Sequence, residues 1–302
     1  MSENLCIGPK MSNKSNQTTA TLIGSIAVLL WSLLALFTAA SGSVPPFQLA
    51  AMTFAIGGLA GASTWIFRPR RIALLRQPPV VWLIGVGGLF GYHFFYFSAL
   101  RAAPPVEAGL IAYLWPLLIV VFSALLPGEK LKLHHLIGAL AGAGGAFLIV
   151  TGGKGVSIDP QYSDGYLMAL VCALIWSGYS VLSRRFSEVP TDVVTGFCLA
   201  TAVLSGIAHL ALEQTVWPQQ VTEWLAVLGL GLGPVGLAFY VWDYGVKKGD
   251  IQVLGAASYA APLLSTLVLV LFGFAPLTWA LGLACLLITG GAVIAAKDMI
   301  FR

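Results

Sequence analysis

The sequence has few charged residues and few cysteines, and both shortages limit what the chain can be. Asp, Glu, Lys and Arg together make up 9% of the 302 residues, whereas hydrophobic residues make up 58%. Soluble domains carry about 25% charged residues, so this composition excludes an ordinary soluble fold. The four cysteines, Cys6, Cys172, Cys198 and Cys285, show no paired spacing, which argues against a disulfide framework or a metal site.

Sequence motifs of enzymes are also missing. The chain contains no HExxH or GxSxG segment. Its glycine-rich segments, residues 85–88 and 229–233, lie inside apolar runs and lack the strand and the Lys-Ser/Thr pair of a phosphate loop. We therefore expect no catalytic site and no cofactor. The net charge of +4 gives no reason to expect a nucleic-acid partner.

The sequence is instead rich in apolar stretches long enough to cross a bilayer core of about 30 Å. Ten such stretches predict an all-α integral membrane protein with ten transmembrane helices, surrounded by the lipid bilayer. The stretches are residues 19–40, 46–67, 79–100, 106–126, 134–151, 163–183, 191–212, 222–246, 252–272 and 276–296.

The basic residues predict the orientation of these spans. Of the sixteen Lys and Arg residues, only Arg101 and Lys154 fall on one side of the ten-span arrangement, and the other fourteen fall on the opposite side. By the positive-inside rule the richer side is cytoplasmic. We therefore expect an inner-membrane protein with both termini in the cytoplasm.

The two halves of the chain resemble each other at an offset of 145 or 146 residues. The matched pairs are Trp31 with Trp176, Tyr96 with Trp242, Arg101 with Lys247, Tyr113 with Tyr259, and Pro116 with Pro262. Five spans per repeat is an odd number, so the second repeat is inverted, as in carriers that alternate access around a central site. The predicted units are a disordered cytoplasmic tail (1–18), a first repeat (19–151), a periplasmic linker (152–162), a second repeat (163–296) and a cytoplasmic end (297–302).

One long motif carries a family resemblance. The segment SALRAAPPVEAGLIAYLWPLLIVVFSALLPGEKLKLHHLIGALAGAGGAFLIV, residues 98–150, resembles the third to fifth helices of an EamA-type repeat of the drug/metabolite transporter superfamily. The second half repeats it, except at Phe272-Gly273-Phe274, where the acidic turn of the first repeat is missing. The dense aromatics and the Tyr113-Leu-Trp-Pro116 run are most similar to aromatic amino-acid exporters of the YddG type.

The resemblance implies a bundle in which spans one, three, four, six, eight and nine surround a central cavity, with spans five and ten to one side. It implies a secondary transporter that exports amino acids, aromatic or bulky apolar ones, and similar metabolites. The same superfamily contains multidrug, quaternary-ammonium and nucleotide-sugar carriers, which remain an alternative. A membrane-embedded enzyme and a channel are further alternatives.

Aromatic and polar side chains within the spans are the candidate substrate-binding residues. Flat apolar faces with hydroxyl and indole donors suit an aromatic or cationic solute. The candidates are Trp31, Tyr92, His93, Tyr96, Tyr113, Trp115, Trp176, Tyr240, Asp243 and Tyr259. Helix packing is the alternative for each aromatic ring, and a structural hydrogen bond is the alternative for His93. Trp115 lies two residues from Tyr113 and so faces elsewhere on a regular helix, unless Pro116 distorts the turn.

Asp243 is the one acid inside a predicted span. A charge at the centre of a span costs about 2.5–3.5 kcal/mol on insertion scales, which favours a functional role. An ion pair with Lys247, one turn later, is the alternative.

Prolines within spans predict hinges. Proline weakens the local hydrogen-bond ladder, and we expect Pro116, Pro262 and Pro234 to mark the bends at which half-helices move, with static kinks as the alternative.

Glycine pairs with four-residue spacing predict close helix packing. They are Gly57 with Gly61 and Gly138 with Gly142, and they serve either contacts within the chain or a dimer face. The sequence thus leaves a monomer and a homodimer open.

Overall fold

The computed structural model describes residues 10–156, 158–271 and 277–300. In this part of the chain all regular structure is helical. Nine helical segments there are long and apolar enough to cross a membrane, and the apolar helix Trp279–Ala295 is shorter. The prediction of an all-α membrane protein with ten spans is confirmed. The predicted start of the tenth span, Pro276, lies outside the described residues.

The described residues of the spans, numbered one to ten along the chain, form fifteen α-helices and two π-helical turns. The first repeat consists of α1 (Lys10–Ser32) and α2 (Leu34–Ala40) in span one, α3 (Pro46–Ser63) in span two, α4 (Pro79–Val86), the π-turn Gly87–Gly91 and α5 (Tyr92–Ala102) in span three, α6 (Pro105–Ala112) and α7 (Trp115–Ser123) in span four, and α8 (Leu133–Thr151) in span five. The second repeat consists of α9 (Ser163–Arg185) in span six, α10 (Val194–Leu212) in span seven, α11 (Val221–Leu232), the π-turn Gly233–Leu237 and α12 (Ala238–Lys248) in span eight, α13 (Ile251–Ala257) and α14 (Ala260–Leu271) in span nine, and α15 (Trp279–Ala295) in span ten, followed by α16 (Lys297–Ile300).

The first helix starts earlier than the sequence predicts. Residues 10–18, assigned above to a disordered tail, are helical and continuous with span one, and Thr19 Oγ1 donates to the carbonyl of Ser15 at 3.0 Å. Extending an existing helix gains one backbone hydrogen bond for each residue added, without the cost of a new nucleus. Residues 1–9 of the predicted tail lie outside the described part.

Glycine contacts bring several spans into close approach. A Cβ atom added to Gly138 in span five would lie 2.4 Å from the Gly291 carbonyl oxygen in span ten. One added to Gly57 in span two would lie 2.7 Å from Cα of Gly236 in span eight. Both glycines therefore serve packing within the chain, where a larger side chain would force the helices apart.

Spans four and nine are broken rather than bent. In span four the helix ends at Ala112 and restarts at Trp115, and in span nine it ends at Ala257 and restarts at Ala260. Pro116 and Pro262 lie in the first turns of the restarting helices. Proline cannot donate to the carbonyl four residues earlier and clashes with it, but it is tolerated in a first turn. The helix is therefore interrupted two to four residues before each proline, at residues 113–114 and 258–259, which are related positions of the two repeats.

Spans three and eight share a second irregularity. Their π-helical turns begin at Gly87 and Gly233, and 233 − 87 = 146, the repeat offset. Such turns inside α-helices are rare and often lie at functional sites. Pro234, one of the predicted hinge residues, lies in the second of them.

A buried carboxylate joins the two repeats at one end of the bundle. Glu213 follows α10 and accepts hydrogen bonds from the backbone amides of Phe47 and Gln48 at 3.1 Å. His209 Nδ1 lies 3.0 Å from the same carboxylate, and Arg101 forms an ion pair with it. Burial alone would raise the pKa of Glu213, but hydrogen bonds from His209, the two amides and Arg101 outweigh it and lower the pKa. Glu213 thus fixes the start of α3 to the end of α10.

Replacing Glu213 by Gln should destabilise the protein at neutral pH by about 1–3 kcal/mol, the cost of losing charged hydrogen bonds. A lowered folded-state pKa stabilises the protein above the pKa of the unfolded chain, and that contribution is lost as pH falls through the folded-state pKa. The stability difference between wild type and Glu213→Gln, measured by thermal unfolding in detergent, should therefore shrink on acidification. Glu188→Gln, at an exposed position, is the control and should show little effect. A pH-independent difference would contradict the assignment.

Candidate functional site

A cavity of about 630 Å³ lies in the middle of the bundle. Ten crossings return the chain to its starting side, so Lys10 and Ile300 mark one end, here called the terminal end. The cavity extends from mid-bundle toward the opposite end, where Thr38 and Ala39 on its rim are exposed. Its walls come from spans one, two, three, four, six, eight and nine. The described residues of spans five, seven and ten contribute none of the lining.

Tryptophan rings form the deep end of the cavity. The ring centroid of Trp31 lies 6.0 Å from that of Trp115 and 5.8 Å from that of Trp176, all three in the lining. Trp242 packs 5.1 Å from Trp31 and is fully buried, and its indole nitrogen donates to Ser180 Oγ at 3.1 Å. The four indole rings therefore meet where spans one, four, six and eight converge.

One face of α5 supplies polar aromatic groups to the wall. Tyr92 and Tyr96 stack at a centroid distance of 5.8 Å, and Tyr92 contacts Trp176 at 5.4 Å. His93 Nδ1 lies 2.7 Å from the carbonyl oxygen of Leu89. Because a carbonyl only accepts, Nδ1 carries the proton of this bond. Nε2 is then the nitrogen with which His93 can meet a polar group in the cavity.

Among the residues that the structure describes, the cavity lining contains no Asp, Glu, Lys or Arg. Its side-chain hydroxyl groups are those of Thr38, Thr53, Tyr92, Tyr96 and Tyr113. A site built this way offers hydrogen bonds and π-faces to a solute but no full charge. It does not fit a phosphate-bearing ligand, which is held by convergent arginines.

Seven of the ten predicted substrate-binding residues lie on this wall. They are Trp31, Tyr92, His93, Tyr96, Tyr113, Trp115 and Trp176, together with the predicted hinge residue Pro234. Trp115 and Tyr113 reach the same cavity because the helix breaks between them. A regular helix would have turned the two rings to different faces.

Two of the other predicted residues pack away from the cavity. The hydroxyl of Tyr240 lies 2.9 Å from Thr195 Oγ1 on span seven. Tyr259 is buried, and its hydroxyl oxygen accepts the amide of Leu117 at 3.2 Å. Both hydroxyls are satisfied by neighbouring spans, which corrects the expectation that they line the site.

Asp243 lies on the terminal side of Trp242, beyond the deep end of the cavity. Its Oδ2 accepts from Lys247 Nζ at 2.8 Å and from Thr191 Oγ1 at 2.7 Å. Lys247 Nζ also donates to the carbonyl of Val189 at 2.9 Å. The structure thus places Asp243 in a buried ion pair, the alternative recognised above, rather than at the cavity wall.

A second ion pair closes the terminal end across the repeats. Arg184 at the end of α9 pairs with Glu129, in the turn between spans four and five. The same guanidinium donates to two carbonyl oxygens at the end of α12. That of Val246, in the last turn, lies at 3.1 Å, and that of Gly249, just after the helix, lies at 2.7 Å. One arginine therefore ties spans four, six and eight together at this end.

Sequence reasoning missed the contribution of span two. Phe54 stacks on Phe239 at 5.4 Å and meets His93 edge-on at 5.0 Å, and Thr53 supplies a hydroxyl to the wall. Span two is mostly apolar, and its few polar residues, Gln48 and Thr53 among them, form no stripe that marks the face it turns to the cavity. The paired phenylalanines of spans two and eight were the available signal.

Comparison with known proteins agrees with this architecture. The model of the EamA-like transporter family matches residues 18–151 and 163–296. The aromatic amino acid exporter YddG of Ancylobacter novellus is 59% identical over 281 residues, covering 93% of this chain and 98% of that protein. The protein of the same name in Escherichia coli is 26% identical over 91% of this chain and 96% of its own length.

Two further comparisons extend the likeness. The pseudopaline exporter CntI of Pseudomonas aeruginosa is 30% identical over 217 residues, covering 71% of this chain and 74% of that protein. A crystal structure of a chain with 57% identity superposes with a TM-score of 0.90, covering 94% of this chain and 98% of the other. Two matched repeats and an inverted ten-span bundle around one cavity lead to the same conclusion: this chain belongs to the EamA-like transporter family.

Proposed function

We propose that this protein is a secondary transporter that exports aromatic and bulky apolar amino acids, and similar metabolites, across the inner membrane. The observation that carries the proposal is the uncharged aromatic cavity, which reaches from mid-bundle to exposed residues at the end away from the termini. The names of the 59% and 26% identical relatives, both aromatic amino acid exporters, support the same substrate class.

The lining suits an amino acid because the two charges of its backbone cancel. Its ammonium group can lie against the tryptophan faces of Trp31, Trp115 or Trp176, where cation–π attraction replaces a carboxylate partner. Its carboxylate can accept from the hydroxyls of Tyr92, Tyr96 or Tyr113. An aromatic side chain would then complete the ring packing at the deep end.

The orientation follows from the basic residues. With the terminal end in the cytoplasm, as the positive-inside rule predicts, the cavity faces outward in this structure. Export then requires the terminal end to open and the outer end to close around the same site. The breaks before Pro116 and Pro262 and the π-turn at Pro234 are where we expect the half-helices to move, because regular backbone bonding is interrupted there.

Uptake into proteoliposomes tests the proposal. Labelled tryptophan, phenylalanine, threonine, a quaternary-ammonium dye and a nucleotide sugar are offered with and without a pH gradient. Saturable tryptophan uptake with competition by phenylalanine, and counterflow from preloaded vesicles, is the expected result. Counterflow separates a carrier from a channel, and the gradient reports whether protons are coupled. Uptake of the dye or the nucleotide sugar without amino-acid uptake would contradict the proposed substrate class.

Trp176→Ala should raise the KM for tryptophan about tenfold, because one ring contacts the substrate and also supports Trp31 and Tyr92. Substrate binding to purified protein checks this, with thermal unfolding to show that the variant folds. Trp279→Ala removes a ring that is 68% exposed on span ten and serves as the matched control. Equal affinities in the two variants would rule out the aromatic site.

Asp243→Asn should cost about 3–5 kcal/mol of stability, since it leaves the buried Lys247 ammonium without its counter-charge. The double variant Asp243→Asn, Lys247→Met should recover most of that loss and still show altered transport, because the charged hydrogen bonds from α12 to Thr191 and to the Val189 carbonyl are gone. The more exposed pair of Arg71 and Asp192 provides the control, and Asp192→Asn should cost at most about 1 kcal/mol. Equal effects of Asp243→Asn and Asp192→Asn on unfolding would refute the buried-pair account.

A further inference from the structure

Tyr259 lies in the break of span nine and caps the broken helix of span four. Its side chain is 1% exposed, and its hydroxyl oxygen accepts the amide of Leu117 at 3.2 Å. Leu117 is in the first turn of α7, where amides have no partner within their own helix. Its predecessor Pro116 has no amide to satisfy. The hydroxyl of Tyr259 therefore holds the start of the helix that presents Trp115 to the cavity.

A glycine makes room for this tyrosine. A Cβ atom added to Gly142 on α8 would lie 2.6 Å from Cδ2 of Tyr259, too close for any other residue without movement. The ring packs in one cluster with Ala146, Leu263 and Ile288. Tyr259 is thus wedged between spans five and ten, which do not line the cavity.

The equivalent residues of the other repeat are arranged differently. At the 146-residue offset the mate of Tyr259 is Tyr113, and the mate of Gly142 is Ile288, which is itself buried. Position 288 thus has a large side chain where span five has a glycine, and Tyr113 lies on the cavity wall. The equivalent tyrosines of the two repeats therefore have different roles: Tyr113 lines the cavity, and Tyr259 packs behind it and bonds to the start of α7.

We propose that Tyr259 is a positioning residue of the binding site, acting on Trp115 through the Leu117 amide. The proposal rests on the proposed function in one respect, that Trp115 contacts the transported amino acid. The hydrogen bond to the Leu117 amide and the packing of the Tyr259 ring against Gly142 do not depend on that function. Tyr259 touches no substrate and sets the angle at which α7 enters the cavity.

Tyr259→Phe in the full-length protein tests this, because it removes one oxygen and keeps the ring. In proteoliposomes the KM for tryptophan should rise about three- to tenfold, the effect of one hydrogen bond, while the maximal rate changes little. Hydrogen–deuterium exchange of residues 113–120 should become faster. Thermal unfolding shows whether the variant is folded.

Two further variants make the test specific. Gly142→Ala keeps the hydroxyl but displaces the ring, so it should raise KM and speed exchange in the same way. Tyr166→Phe is the control, since Tyr166 is also buried and its hydroxyl also accepts an amide, that of Asp159 at 3.5 Å, away from the cavity. Tyr166→Phe should leave both the KM and the exchange of residues 113–120 unchanged.

The outcomes separate this inference from the proposed function. Unchanged KM and unchanged exchange in Tyr259→Phe would overturn the support, and faster exchange with an unchanged KM would overturn the positioning role. If exchange is faster in Tyr259→Phe but the wild-type protein transports no amino acid, the role of the Tyr259 hydroxyl at the start of α7 is supported and the proposed function is rejected.

Discussion

Backbone hydrogen bonding without water is the constraint on which this structure depends. Within a bilayer core every amide and carbonyl needs a partner in the protein, so irregular backbone is tolerated only where neighbours or a water-filled cavity supply one. The breaks in spans four and nine and the π-turns in spans three and eight all lie beside the cavity or beside a side chain that bonds to them. The tyrosine hydroxyl that receives the Leu117 amide is one such partner.

The repeats share their backbone irregularities but differ in the side chains placed there. Trp115 and its mate Ala261 both reach the cavity, yet only the first contributes a ring. The tyrosine pair is likewise split between wall and support. An inverted repeat thus supplies a symmetric scaffold for two access states, and side-chain differences make one binding site on it.

In the described part of the chain the ion pairs lie toward the two ends of the bundle, and the residues lining the cavity carry no full charge. Arg101 and Lys247 occupy equivalent positions in the two repeats, but one pairs with a carboxylate of the opposite repeat and the other with a carboxylate of its own helix. Lys247 pairs with Asp243 one turn away on its own helix, whereas Arg101 pairs with Glu213 of the other repeat. Only the second of these pairs joins the two repeats, while at the terminal end the repeats are joined by the pair of Arg184 with Glu129.

The sequence by itself determined the membrane class, the ten spans, the inverted repeats and most of the aromatic rings of the cavity wall, because apolar length, proline position and aromatic placement are local properties of the chain. It could not place Asp243, Tyr240 or Tyr259, since whether a polar side chain faces a cavity or a neighbouring helix depends on how the spans are rotated against each other. Tertiary packing alone brought span two to the wall and fitted Tyr259 against Gly142. These features depend on close contacts between helices that are distant in sequence, and a hydropathy pattern does not predict such contacts.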